Sequence, residues 1–395
     1  MVLSSQSQLI LCPLSIQKDK KHYIVEDPSS GDFFEMPKIC IDAIEMIDKG
    51  EMLGDIEVIL KANYPNEEVN MIEFAEQLID LGLVEEVDGE RIRRQERGRS
   101  LGGLQWISPK VGQIIFNKVT NKIFILFFLL NVILAVMNPN LIPTYKDIFL
   151  FDSMVLNMVT YMAVSFILII IHEFGHVFAI RAHNLPAKLD IGNRLLFVVF
   201  ETDLTSAWKL PSRQRNVLYF AGMALEQSLI FIAFTIKILF PESGAIFIGI
   251  LGIVIFDLFI KTIYQCCFYM KTDVYYFFEN VTGCYNLMEN GKQYLSKWIP
   301  FIKYDPTTAA FQGETKTIRL YSVLYICGIL LTFSLFAIYF LPQVFYAYSL
   351  IFSNLTDPAG SSSFWDAVVF IGQTILMLGL LFYSVVKKRV KESSL

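Results

Sequence analysis

Long apolar stretches constrain this chain more than any other feature of its sequence. An α-helix needs about 20 predominantly apolar residues to cross a bilayer, and six segments after residue 120 approach or exceed that length. The first is the shortest and is interrupted by Asn131. We therefore predict an α-helical polytopic membrane protein with about six transmembrane helices, at residues 123–141, 155–178, 217–240, 245–266, 320–341 and 365–386.

Composition supports lipid as the solvent for much of the chain. Hydrophobic residues make up 54% of it and Phe alone occurs 34 times, whereas soluble domains are about 45–50% apolar even with Gly counted. The formal net charge of -5 offers no basic surface for nucleic acid, so we exclude that partner. The six cysteines include no C-x-x-C pair, so they predict neither a disulfide framework nor a zinc knuckle.

Residues 1–100 have the composition of a soluble domain, because charged residues are frequent and no apolar run reaches spanning length. A turn-forming segment at 27–31 separates two apolar segments and predicts a hairpin. Apolar residues then recur every three or four positions, which predicts helices over 37–49, 53–63 and 70–81. We expect a small α+β domain of winged-helix type.

Charge asymmetry between the connecting segments predicts the orientation of the spans. The first 20 residues lack the features of a secretion signal, so the N-terminus is expected in the cytoplasm. The outer segments 138–154, 241–244 and 342–364 then contain a single basic residue, Lys146, while the basic run at 91–99, the inner loops and the C-terminal tail are rich in Lys and Arg. The positive-inside rule accordingly places both termini in the cytoplasm.

The second span ends in His172-Glu173-Phe-Gly-His176. Residues four apart share one face of a helix, so both imidazoles can reach one Zn²⁺ at about 2.0–2.1 Å. Glu173 lies beside them and is placed to take a proton from water bound by the metal. Because ionisable groups inside membrane segments are costly and usually functional, a purely structural pair of buried histidines is the less favoured alternative.

A catalytic zinc site needs a third protein ligand and leaves its fourth position for water. His183 lies seven residues beyond His176, about 10 Å along a continuous helix, so it is out of reach unless the helix breaks between them. Glu201 and Asp203, in the next loop, are alternatives. Asp273 is preferred, because it follows the fourth span on the same predicted side of the membrane as His176.

This arrangement, H-E-x-x-H in a membrane helix with an Asp after a later helix, resembles the site-2 protease family of intramembrane metalloproteases over about residues 120–290. The resemblance implies that Glu173 is the general base and that one Zn²⁺ per chain is held by His172, His176 and Asp273. The chain departs from the family's pattern after Asp273, where Val274 stands in place of the usual Gly, and the common Asn-x-x-Pro before it is missing.

A narrower resemblance covers residues 201–215 and Ala221-Gly222, which are similar to the peptide zinc metalloproteases of bacterial peptide-maturation clusters. In those proteins the ligand Asp is often followed by an aromatic pair, as Tyr275-Tyr276 follow here, and Asp203 and Trp208 also match. The N-terminal domain resembles the PqqD-like peptide-recognition fold, which implies binding of a leader peptide. The implied organisation is a recognition domain at 1–100, a basic interfacial linker at 101–121, a protease core at 122–290, and a cytoplasmic loop with two spans at 291–395.

The segment 187–205 is a candidate substrate groove. Its run at 195–200 is apolar and favours β-structure, so a strand edge there could pair with an extended substrate; a buried or interfacial segment without a substrate role is the alternative. Asn280 and Tyr275 lie near enough to Asp273 in sequence to be candidate oxyanion stabilisers.

The function predicted from these features is zinc-dependent intramembrane proteolysis of a peptide precursor or small membrane protein, as in bacteriocin-like peptide maturation, with a peptide exporter as a further partner. One alternative is a non-proteolytic maturation or export partner that binds a leader peptide and in which zinc is structural. Another is a transporter or immunity protein, which would use further intramembrane charges such as Glu226 and Asp257.

Overall fold

The computed structural model describes residues 3–92, 103–194, 197–300, 302 and 313–393. It divides into two compact units. The first contains the described part of Met1–Gly102 together with two short segments, Leu204–Arg215 and Asn280–Tyr285. The second contains the rest of the described chain. Residues 93–99 of the predicted basic run and residues 195–196 of the predicted strand run lie outside the described residues.

The first unit combines three helices with two small sheets. In chain order its elements are β1 (Leu9–Leu11), β2 (Ser15–Asp19), β3 (His22–Glu26), β4 (Phe33–Met36), α1 (Lys38–Asp48), α2 (Leu53–Asn63), α3 (Met71–Asp80), β5 (Val84–Val87) and β6 (Glu90–Arg91). The antiparallel sheets have the orders β1-β5-β6 and β2-β3-β4. Strands β3 and β4 form the predicted hairpin, and all three predicted helices are confirmed to within one residue at each end.

Amphipathic spacing explains these helices. Ile44 and Ile47 of α1, Ile56 and Leu60 of α2, and Leu78 of α3 are almost fully buried in one core, and their separations of three and four residues place them on the inner face of each helix. The side chain of Asn70 accepts a hydrogen bond from the backbone N–H of Glu73 and so caps α3.

A buried cation joins the two short segments to this unit. The guanidinium of Arg215, 1% exposed, donates to Asp19 Oδ2 at 2.5 Å, to Asn280 Oδ1 at 2.7 Å and to the Tyr285 hydroxyl at 3.0 Å. It also lies over the ring of Trp208, 4.6 Å from its centroid. Burial of a charge is tolerated only where it is paired and hydrogen-bonded, and Asp19 supplies the opposite charge. Trp208 therefore has a structural role in this unit.

The remaining elements are helical apart from one hairpin. They are α4 (Pro109–Ile115), α5 (Thr120–Met137), α6 (Met154–Ala182), β7 (Lys188–Arg194), β8 (Phe197–Asp203), α7 (Ser212–Leu239), α8 (Ala245–Tyr264), α9 (Asp273–Thr282), α10 (Leu287–Leu295), α11 (Thr315–Leu335), α12 (Leu341–Asn354) and α13 (Ser362–Ser393). Strands β7 and β8 pair antiparallel along their whole length, from Lys188 opposite Asp203 to Arg194 opposite Phe197.

Within the described residues, six helices are long and apolar enough to cross a membrane, and the protein is membrane-embedded. The first four are α5, α6, α7 and α8, close to the predicted positions. Apolar side chains between them form a core that includes Leu168, Ile230, Phe234, Ile255 and Leu258. The first span begins three residues and ends four residues before its predicted bounds, and α5 ends at Met137, two residues before Pro139.

The fifth span differs most from its prediction. Helices α11 and α12 are continuous over Thr315–Asn354, whereas the sequence predicted a helix over 320–341 followed by a loop. A π-helical turn at Phe336–Phe340 precedes Pro342. Because proline lacks an N–H and crowds the preceding turn, a widened turn of this kind can accommodate it without ending the helix. The predicted outer segment 342–364 is therefore helical over most of its length.

Candidate metal centre

Three predicted ligands converge at one point of the second unit. His172 and His176 lie one turn apart on α6, and Asp273 is the first residue of α9. Their ligand atoms all lie within 4.8 Å of one another. His172 Nε2 is 3.2 Å from His176 Nε2 and 3.0 Å from Asp273 Oδ2, and His176 Nε2 is 3.6 Å from Asp273 Oδ1. Helix periodicity places the two histidines side by side, whereas the packing of distant segments brings Asp273 to them.

Helix α7 orients both imidazoles through their Nδ1 atoms. His176 Nδ1 is 2.8 Å from the carbonyl oxygen of Leu218, and His172 Nδ1 is 3.0 Å from Glu226 Oε1. A carbonyl or carboxylate oxygen can only accept, so each Nδ1 must carry the proton. In the neutral tautomer both Nε2 atoms then direct lone pairs toward Asp273.

The result is a cluster of acceptors without a donor among them. Two Nε2 lone pairs and a carboxylate face one another at 3.0–3.6 Å, and a bound cation would satisfy all three. Two imidazoles and one carboxylate suit Zn²⁺ in a site that keeps its fourth position open. The donor set, the Nδ1 hydrogen bonds and the short separations thus all fit a zinc ion.

Asp273 is held in place from α8. The side-chain oxygen of Gln265 accepts the backbone N–H of Asp273 at 3.0 Å, and its amide nitrogen donates to Asp273 Oδ2 at 3.1 Å. Burial opposes ionisation of this carboxyl, but when the imidazoles are protonated instead of binding a metal, the positive charge on His176 and His172 outweighs burial and holds the pKa of Asp273 well below its ordinary value. A metal cation would act in the same direction.

Small residues allow α6 and α7 to approach closely at the site. A Cβ added to Gly175 would lie 2.6 Å from the carbonyl oxygen of Ala221, and one added to Gly222 would lie 2.6 Å from the ring of His172. Neither position can hold a larger side chain without displacement of its neighbour. The Ala221-Gly222 pair noted in the sequence is therefore part of the frame around His172.

The candidate base is held by the hairpin that follows α6. The hydroxyl of Thr202, on β8, lies 2.8 Å from a carboxylate oxygen of Glu173 and 3.2 Å from the Glu173 carbonyl oxygen. Two residues earlier on β8, the ring of Phe200 meets the ring of Phe166 edge to face, with centroids 5.7 Å apart. Strand β8 thus contacts α6 through an apolar pair and through the carboxylate of Glu173.

The alternative ligands and the candidate oxyanion stabilisers lie elsewhere. The structure does not bring His183, Glu201 or Asp203 into the metal group; His183 is the C-cap of α6, and burial lowers its pKa. Tyr275 donates to Glu279 at 2.5 Å, and Asn280 accepts from Arg215. Both are about 1% exposed, and their donors are already engaged, Tyr275 on Glu279 and Asn280 on the carbonyl oxygen of Ser212, which does not favour a role for either as an oxyanion stabiliser.

Three polar residues at the site were not predicted as parts of it. Gln265 and Thr202 carry no sequence signal that separates them from other polar residues at helix and strand ends. Glu226 does, since a carboxylate inside an apolar span indicates function, but the sequence linked it to transport. The structure pairs Glu226 with His172, whereas Asp257 pairs with Lys261 one turn along α8 at 2.6 Å.

Comparison of the chain with protein-family models, with curated proteins and with solved structures finds no match. The family resemblances drawn from sequence motifs therefore stay predictions.

Proposed function

We propose that the protein is a zinc-dependent intramembrane endopeptidase that cleaves a peptide precursor or a small membrane protein, in the manner of the site-2 proteases. The observation that carries this proposal is the convergence of three candidate ligands, His172, His176 and Asp273. Both imidazoles are oriented by hydrogen bonds through Nδ1, and Glu173, next to His172 in the chain, supplies a carboxylate that is not one of the ligands. Structural zinc sites are usually closed by four protein ligands. Three ligand side chains within the described residues favour a catalytic site over a structural one.

In this proposal each residue has a defined task. His172, His176 and Asp273 would hold the ion, which when bound supplies Lewis-acid polarisation of water and of the scissile carbonyl. Glu173 removes a proton from water as the water oxygen bonds to the carbonyl carbon. It then delivers that proton to the leaving nitrogen as the C–N bond breaks, giving a carboxylic acid and an amine. Thr202 keeps the Glu173 carboxylate in one orientation by its hydrogen bond.

The hairpin β7–β8 supports a role in substrate binding. A helical substrate has its carbonyls engaged in hydrogen bonds, so it must become extended before cleavage. A two-stranded hairpin has free edges along which an extended segment can pair by β-augmentation. Because Thr202 of β8 contacts Glu173, such a segment would be aligned close to the base.

The first unit supports capture of a leader peptide. Its two small antiparallel sheets and three helices are compatible with the winged-helix and PqqD-like interpretation, and β2 has exposed residues from Ser15 to Lys18. An exposed edge strand can accept a further strand from a peptide. In this proposal the first unit recruits the precursor and the metal centre cleaves it.

The test is cleavage of a membrane-inserted reporter peptide by the purified protein in lipid vesicles. Glu173→Gln should retain zinc and lose at least about 100-fold in rate, because general acid–base catalysis contributes about 10²–10⁴-fold. Glu242→Gln is the matched control, since it makes the same change in the connection between α7 and α8, outside the metal group and the hairpin. Equal cleavage by wild type and Glu173→Gln would refute the proposed mechanism.

A further inference from the structure

Helix α7 contributes two acceptors of different charge to the two histidines. His176 donates to a neutral backbone carbonyl, that of Leu218, whereas His172 donates to the side chain of Glu226. Hydrogen bonding to a backbone carbonyl would have been enough to fix the tautomer and the ring orientation. The carboxylate on His172 therefore adds something beyond orientation.

Burial makes the charged form of the Glu226 carboxylate energetically unfavourable. Glu226 is 1% exposed and lies within the span formed by α7. Within the described part of the chain its Oε2 has no hydrogen-bond partner, so the contact of Oε1 with His172 is its main stabilising interaction. An ionised carboxylate with one partner in an apolar helix is energetically unfavourable. Such a residue is expected where a positive charge nearby compensates the cost.

We infer that Glu226 is a positioning residue for the metal, whose negative charge increases the basicity of His172 and balances the charge of the cation. A divalent ion bound by one carboxylate, Asp273, keeps one uncompensated positive charge, and Glu226 supplies the missing negative charge 3.0 Å from His172 Nδ1. In a low-dielectric span this neutralisation is stronger than it would be in water. Carboxylate–histidine–metal arrangements of this type raise the basicity of the ligand.

Spacing on α7 supports the same role. Gly222 precedes Glu226 by one turn, so both lie on the face of α7 that meets His172. The absence of a Cβ at Gly222 allows the ring to sit against the helix, and Glu226 then meets its Nδ1. The two residues thus position the imidazole of His172 together: Gly222 leaves space for the ring, and Glu226 supplies the negative charge beside it.

The experiment measures the zinc dissociation constant of the purified full chain in detergent, by competition with a chromophoric chelator. Glu226→Gln keeps the shape and an acceptor oxygen but removes the charge, and we expect zinc binding to weaken about 10- to 100-fold. Asp257→Asn is the matched control, because it neutralises an equally buried carboxylate of the next span, one that pairs with Lys261. Its zinc affinity should equal that of wild type.

Unchanged affinity in Glu226→Gln, or an equal loss in Asp257→Asn, would overturn the inference. If Glu226→Gln does not fold, Glu226→Asp keeps the charge and should bind zinc within about fivefold of wild type, as expected when a charge-assisted hydrogen bond is lengthened but kept; a loss of 10-fold or more would overturn the inference instead. This role for Glu226 rests on the metal site of the proposed function and not on proteolysis. Wild type that binds zinc but cleaves no reporter would refute the protease proposal alone.

Discussion

Replacement of Gly222 by Ala tests the packing that holds His172 in position. The added Cβ would lie 2.6 Å from both Cε1 and Nε2 of His172, whereas carbon atoms in contact are about 3.5–4.0 Å apart. The ring must therefore move by roughly 1 Å. Metal–ligand distances tolerate only about 0.2 Å, and the ring cannot yield freely because Glu226 and Asp273 hold it at 3.0 Å on two sides. We expect Gly222→Ala to lose His172 as an effective ligand and to bind zinc at least about 10-fold more weakly.

The assay is zinc content by elemental analysis, followed by a competition titration of the purified protein. Gly252→Ala is the matched control, because Gly252 is a buried helical glycine whose added Cβ would meet only Asp147, at an ordinary 3.7 Å. That control should keep wild-type zinc content and gain stability by about 0.5–1 kcal/mol through helix propensity. Wild-type zinc affinity in Gly222→Ala would refute the argument that close packing on α7 fixes His172.

Other predictions concern the base and a buried carboxyl group. Thr202→Val removes the hydroxyl that holds Glu173, so kcat for reporter cleavage should fall about two- to tenfold, the equivalent of one hydrogen bond, while zinc content stays unchanged; an unaltered kcat would contradict that role. Burial raises the pKa of Glu279 to about 7. A carboxyl group with a raised folded-state pKa stabilises the fold below its unfolded pKa, and that stability is lost as the pH rises through about 7. The loss is up to about 3 kcal/mol, so melting temperature should fall between pH 5 and pH 8 and fall less in Glu279→Gln. An equal pH dependence in both proteins would count against an ionisable Glu279 as its source.

Features set by local periodicity were predictable from the sequence. The shared face of His172 and His176 follows from helix geometry alone, and the buried faces of α1, α2 and α3 follow from the same period. The apolar composition of the spans is likewise local, so five of the six lie close to their predicted positions. The predicted end of the fifth span at residue 341 was wrong, because the helix continues through a π-helical turn and past Pro342 to Asn354.

Features set by contacts between distant segments were harder to predict from the sequence. Asp273 was the preferred third ligand because of its predicted side of the membrane. Its two hydrogen bonds with Gln265, however, depend on how the chain turns between α8 and α9. Likewise, the lone carboxylate Glu226 signalled a function without identifying which, because its partner His172 lies on another helix. The pairing of Arg215 with Asp19, 196 residues away in sequence, has no periodic signature.

The most direct test of the central claim is zinc content of the purified protein, for wild type, His172→Ala and Asp273→Ala. The three side chains supply atoms within 4.8 Å of one another, so we predict about one zinc per wild-type chain and loss of zinc in both variants. Retention of full zinc by Asp273→Ala would contradict the ligand set. Absence of zinc from reconstituted wild type would contradict the metal centre itself.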